Sequence, residues 1–239
     1  YVVFDELPWM ASGRTQLVSF LKYYWDNHWK KNTGLTLVLC GSVASFMLQH
    51  IVHSKALHNR KTLEIKLPPL PAVESQSFFR GLRSRHEMAR FLMVFGGVPK
   101  YLEQLDPTRS LMDNLDRLCF QKHGFFLNEF NTIFKEQFKV TRSYERIVRA
   151  LAQGSGSKED ISRRAKIRSG GGLTGYLTTL EQADFVKTFT PVPIRGGRRK
   201  TRRIVLWDEW LRFYFTWMEP HLQVIVQTLL APGGQIGDR

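Results

Sequence analysis

No run of apolar residues in this chain approaches the eighteen or so that a membrane-spanning helix needs, which excludes such a span from its 239 residues. Nor does a basic segment leading into an apolar, signal-type core stand near Tyr1, and the expected location is cytoplasmic, with no membrane partner. Cysteine is scarce. Cys40 (in LVLCGS) and Cys119 (in DRLCFQK) have no second cysteine at metal-ligand spacing, which excludes a cysteine-based zinc site, and both read as reduced packing residues. No repeat of fixed period is found. Acidic residues are also few, 21 against 35 Lys and Arg, for a net charge of +14. The imbalance is steepest late in the chain: residues 1–140 carry 18 basic against 12 acidic side chains, and 141–239 carry 17 against 9. Such a balance suits a polyanion, whether nucleic acid or a phosphate-bearing ligand; a solvated basic surface accounts for it equally.

What the chain does have is 43% hydrophobic residues, enough for a substantial core. Its first segment, YVVFDELPWM, is an unbroken apolar run of inner-strand character that ends on Asp5 and Glu6. Thr15 to Trp29 then places apolar residues at helical spacing, Asn32-Thr33-Gly34 breaks it, and LTLVLC is a second inner-strand candidate followed by Gly41-Ser42. This is a βαβ unit, and a right-handed crossover brings Asp5, Glu6 and Ser42 to one edge of a parallel sheet. Open α/β sheets bind ligands at that edge. TLEIKL (62–67) alternates like an outer strand before Pro68-Pro69 stops it.

From Val73 to about Val140 the apolar residues recur at helical intervals, broken at Gly96-Gly97-Val98-Pro99. Ser143 to Ala152 predicts a further helix, Ser157-Lys158-Glu159-Asp160 caps a short one, and Leu173 to Gln182 makes a third. Two strand-like runs, 184–190 and 202–206, flank the polar loop PVPIRGGRRK. Three helices and a hairpin are a winged-helix pattern.

The carboxylates suit a magnesium-nucleotide site, since an aspartate at a strand tip can hold hydrated Mg²⁺ and the adjacent glutamate can orient and deprotonate water. Ser42 at the next strand tip suits a γ-phosphate or that water. An acidic strand end beside a helix, and a Gly-Ser turn, account for the same residues structurally. Taken in order, VVFDELPWM, LVLCGSVASFM, ALHNRKTLEIKLPPL, GGVPKYL, DNLDRLCF, GGGLTGYLTTLEQADFV and DEWLRFYFTWMEP resemble successive motifs of the archaeal-type AAA+ ATPases. These are P-loop proteins related to the STAND class, many with a winged helix and a nuclease-like C-terminal domain.

The resemblance implies an α/β fold class plus α: a partial parallel P-loop sheet, a helical lid and a winged helix. The corresponding segments are 1–71 (ATPase core), 72–140 (lid), 141–206 (winged helix) and 207–239 (start of a C-terminal domain). It implies ATP and Mg²⁺ as ligands, with Asp5 as the metal residue, Glu6 as the catalytic base and Ser42 as the sensor. Arg60 is implied to act on the γ-phosphate, in cis or across an interface in a homo-oligomer, with a surface arginine as the alternative. Pro99 corresponds to a Gly-x-Pro motif near the adenine, where a helix break explains it as well.

The family's phosphate-cradling Gly-x-x-x-x-Gly-Lys-Ser/Thr has no counterpart, because no Gly-Lys dipeptide occurs in the chain. The expectation is a truncated family member, short of the middle strand of its sheet and impaired in catalysis; no nuclease motif appears and no nuclease activity is expected. The alternative function is DNA binding through the winged helix. Arg195, Arg198, Arg199, Lys200, Arg202 and Arg203 put six cations within nine residues, and Arg163, Arg164, Lys166 and Arg168 precede the third helix. Trp210, Phe213 and Trp217 share a helical face and read as core rather than as base-stacking residues.

Overall fold

The structure, a computed structural model, describes residues 1–11, 16–42, 46–138, 141–192 and 201–230. It is a mixed α/β protein, largely helical, with two two-stranded sheets among the described residues, and it divides into two compact units, Tyr1–Leu67 and Pro68–Arg239.

In the first unit, β1 (Val2–Phe4) pairs in parallel with β2 (Leu37–Leu39), with Val3 opposite Val38 and Phe4 opposite Leu39. The connection carries the helix Leu17–Tyr24, which runs into a wider turn over Trp25–Trp29, where the Tyr24 and Trp29 rings stack at 5.4 Å. Leu7, Leu21, Ile51 and Leu57 form its small core, with Phe4 and Leu39 packed against them. Among the described residues of this unit, coverage of both strand faces is not found: Phe4 and Leu39 pack on the core, whereas Val3 and Val38 are exposed. The alternating segment 62–67 forms no ladder either. Leu63, Ile65 and Leu67 are exposed, so alternation is present without a strand to pair with among the described residues.

In the second unit, the described stretches 72–138, 141–192 and 201–230 all contribute to one continuous apolar core running from Phe79 to Met218. Three of its helices begin with reciprocal capping boxes, Ser84 with Glu87, Ser110 with Asp113, and Ser157 with Asp160, the last at the predicted position. Buried Asn114 ties a loop together: its amide donates to the carbonyls of Asp106 and Ser110 (both 3.0 Å), and its oxygen accepts from the Asp106 amide at 2.8 Å. The helices Thr141–Ala152, Lys158–Ala165 and Gly171–Gln182 precede the antiparallel strands β3 (Val186–Phe189) and β4 (Arg203–Leu206). Gly156 adds an antiparallel bridge to Ile204 on the other edge of β4.

After β4, Asp208 caps the helix Glu209–Phe213, its carboxylate accepting from the Leu211 amide at 2.7 Å. Burial pushes this carboxyl up from 3.8 to about 6, against the backbone hydrogen bonds. A folded-state pKa above the unfolded value means that its stabilisation is complete below about pH 4 and lost as pH rises through about 6. Asparagine caps as well without a charge to bury. Asp208→Asn is therefore expected to raise the melting temperature at neutral pH, to change it little near pH 4, and to flatten the profile between; calorimetry across that range checks it. The following wider turn, Tyr214–Met218, changes the helical phase. Trp210, Tyr214, Phe215 and Met218 are buried, whereas Trp217 is exposed, which corrects the reading of Trp217 as core.

Candidate functional site

The parallel ladder sets the geometry of the carboxylate edge. The Cys40 amide donates to the Phe4 carbonyl at 3.0 Å and the Leu7 amide to the Cys40 carbonyl at 2.9 Å, which aligns Asp5-Glu6 with Cys40-Gly41-Ser42. Glu6 takes a left-handed backbone conformation (φ 48°, ψ 44°), unusual for a residue other than glycine. Its carboxylate Oε2 accepts from the Ser42 hydroxyl at 2.9 Å and faces the Ser42 amide at 3.4 Å. Asp5 Oδ1 accepts from the Glu6 amide at 2.9 Å and the Cys40 thiol at 3.1 Å. A Cβ at Gly41 would fall 2.4 Å from Pro8 Cδ, so glycine is what lets the end of β2 come this close. The structure thus brings Ser42 to the adjacent pair Asp5 and Glu6, 36 positions from Glu6 in sequence. Cys40 joins them, and its thiol is held above its ordinary range by the hydrogen bond to Asp5 and by burial. It is a participant in the site, not simply packing.

Arg60 sits elsewhere in the unit. Its guanidinium forms a two-pronged pair with Asp26, Nε to Oδ1 at 2.7 Å and Nη2 to Oδ2 at 2.8 Å, with Lys22 also on Asp26 at 3.2 Å. Arg60 holds the Asp26 carboxyl well below the usual carboxylate range. The pairing was not legible in the sequence, where Asp26 is one acid on a helical stretch 34 residues away. Pro99 belongs to the second unit, at the first turn of the short helix Pro99–Leu102.

Of the basic cluster, Arg195, Arg198, Arg199 and Lys200 lie outside the described residues. Arg202 is exposed, while Arg203 donates from Nε to the Ser155 hydroxyl at 3.3 Å and from Nη2 to the Ser155 carbonyl. Arg164 reaches the Gly154 carbonyl at 2.6 Å and that of Ala150 at 3.2 Å, so it braces the turn before its own helix. Arg163, Lys166 and Arg168 are exposed, as are Thr174 and Thr178 on the following helix. Among the described residues, no group of three or more His, Cys, Asp or Glu is placed to hold a metal ion, and no helix is long and apolar enough to cross a membrane.

No family model matches the chain, and no solved structure matches it. An uncharacterized protein of Methanocaldococcus jannaschii is 27% identical over 225 residues, which make up 94% of this chain and 50% of that protein. The chain spans about half the length of the curated relative it matches.

Proposed function

We propose that the first unit is the carboxylate half of a magnesium-nucleotide site, and that the protein is an ATP-binding switch of the AAA+ P-loop type whose ATP hydrolysis is impaired in this chain. The observation that carries this reading is the juxtaposition of Asp5, Glu6 and Ser42 at the carboxyl ends of adjacent parallel strands, with Ser42 Oγ 2.9 Å from Glu6 Oε2. The donor set fits Mg²⁺, which takes hard oxygen ligands and is held by one or two carboxylates plus substrate phosphates rather than by an all-protein cage. Asp5 has Oδ1 engaged by Glu6 and Cys40, which leaves Oδ2 for the ion's hydration shell. The bound ion would supply charge neutralisation at the phosphates. In this reading Glu6, whose carboxylate accepts from the Ser42 hydroxyl, takes a proton from water. For Arg60 to reach a γ-phosphate it must exchange Asp26 for that group, a swap between two bidentate anionic partners. No Gly-Lys dipeptide is present to cradle phosphates, so these residues alone turn over slowly or not at all.

Manganese tests the reading directly, because it accepts the same oxygen ligands and broadens nearby resonances. Mn²⁺ added with ATP is expected to broaden the amide signals of Asp5, Glu6 and Ser42, and Asp5→Asn to abolish the effect. Unchanged signals in the wild-type protein would remove the nucleotide site.

A second reading, DNA binding by a winged helix at 141–206, is favoured by a particular observation. The isolated bridge from Gly156 to Ile204 ties the stretch between the first and second helices to β4, so the hairpin is anchored as a wing is.

A further inference from the structure

The register of the β3–β4 hairpin sorts its side chains into two faces. Val186, Ile204 and Leu206 point into the core. The opposite face carries Lys187, Phe189, Arg203 and Val205, and Trp207 continues it, its amide donating to the Phe185 carbonyl at 2.8 Å. Two large rings stand open on this face, Phe189 at 43% exposure and Trp207 at 46%. The Lys187 ammonium lies 3.8 Å from the centre of the Trp207 ring. Exposed aromatic rings interleaved with cations form a surface with two separate affinities, one for flat apolar rings and one for anions.

We infer that this outer face of the hairpin is a stacking platform for unpaired nucleobases, and hence a binding surface for single-stranded nucleic acid. The inference extends the nucleic-acid reading of the second unit but does not rest on contacts by the helix Gly171–Gln182. Charge complementarity selects the partner: Lys187 lies against the Trp207 ring, Arg203, hydrogen-bonded to Ser155, shares the face, and the chain from residue 141 onward carries 17 basic against 9 acidic side chains. Glu181 is engaged by the Thr188 amide at 3.0 Å, and Asp208 caps the next helix. Phe189 lies opposite Arg203, four residues before Trp207 on β4, so the rings are about 13 Å apart along the strand direction. A strand of nucleic acid laid along the face meets both. Bases in a duplex are stacked on one another and offer no ring face, whereas unpaired bases do. As a base stacks on Trp207, Lys187 is released from the indole to the adjoining phosphate.

The test is titration of the whole chain with oligodeoxythymidylate at low salt, followed by tryptophan fluorescence and by anisotropy of a labelled oligonucleotide. Quenching is expected, with affinity falling as salt rises. Trp207→Leu and Phe189→Ala are each expected to weaken binding by about tenfold. Trp207→Phe, which keeps a ring, is expected to lose less and guards against a folding defect in the leucine variant. Trp217→Leu, which removes an exposed tryptophan on another segment, leaves binding unchanged if the platform is real. Wild-type affinity in Trp207→Leu, no binding of the single strand, or equal affinity for a duplex of the same length would each overturn the inference. Duplex binding that is lost in Arg198→Ala/Arg199→Ala yet indifferent to Trp207 would leave the winged-helix reading standing and remove this one.

Discussion

Trp210→Ala is expected to destabilise the second unit by about 3–5 kcal/mol, a large part of the roughly 5–15 kcal/mol that holds a native domain together. Trp210 is 1% exposed and surrounded by rings, with Phe126 at 4.2 Å, Phe213 at 5.8 Å, Tyr214 at 6.3 Å, and Phe95 and Tyr101 both at 6.4 Å between centroids. These partners come from four separate stretches of chain, so truncating the indole leaves a cavity that no single segment can collapse to fill. Trp210→Phe should be far milder, within about 1.5 kcal/mol. The indole N–H is buried with no acceptor among the described residues, and removing an unpaired donor offsets part of the lost area. Urea denaturation followed by far-UV circular dichroism measures both variants; equal losses in the two would show that the ring cluster is not the keystone of this core.

Gly97→Ala is the second substitution expected to act strongly, at about 2–4 kcal/mol. A Cβ built at Gly97 would lie 2.0 Å from the Leu70 carbonyl oxygen and 2.9 Å from Leu70 C and N, which are backbone atoms that cannot rotate away. Relieving the clash separates the segment before the helix Ala72–Ser75 from the end of the helix Arg85–Phe95, and breaks the 2.7 Å hydrogen bond from the Leu70 amide to the Gly97 carbonyl. Gly96, at φ +66°, terminates that helix in a conformation favourable to glycine. Pro99, by contrast, occupies a helical first turn where its missing N–H has no role. Pro99→Ala is accordingly expected to change stability by less than about 1 kcal/mol. The pair of variants separates two meanings of GGVP: a thermal melt reads the backbone contact at Gly97, and nucleotide affinity measured on Pro99→Ala reads any role at the adenine.

Local signals carried much of the fold. The Ser157 cap, the end of the first strand at Phe4, the presence of a second strand within LTLVLC, and the order of helices before the hairpin are each set by residues within a few positions of one another, so periodicity and turn chemistry sufficed to find them. Asp5, Glu6 and Ser42 were foreseeable as neighbours for a related reason: parallel pairing of two apolar runs puts whatever follows them at a common edge.

The remaining features depend on how distant segments meet. Segment 62–67 alternates as a strand does, but alternation specifies only which side chains share a face, and pairing needs an open edge in register. Trp217 lies at helical spacing from Trp210, but the wider turn over Tyr214–Met218 alters the phase and sends it outward. The partnership of Arg60 with Asp26, the bracing of Ser155 by Arg203, and the thiol of Cys40 on Asp5 link residues 34, 48 and 35 positions apart. Nothing in the chemistry of either partner announces the other.

Composition and short-range order set the alternation of helices and strands, the acids at the tip of β1 and the excess of positive charge. Which cations are spent on carbonyl oxygens, which aromatic rings are buried and which stand open on the hairpin follow from the folded arrangement alone. Those outcomes depend on long-range packing, where one residue's exposure is fixed by segments far away in the chain.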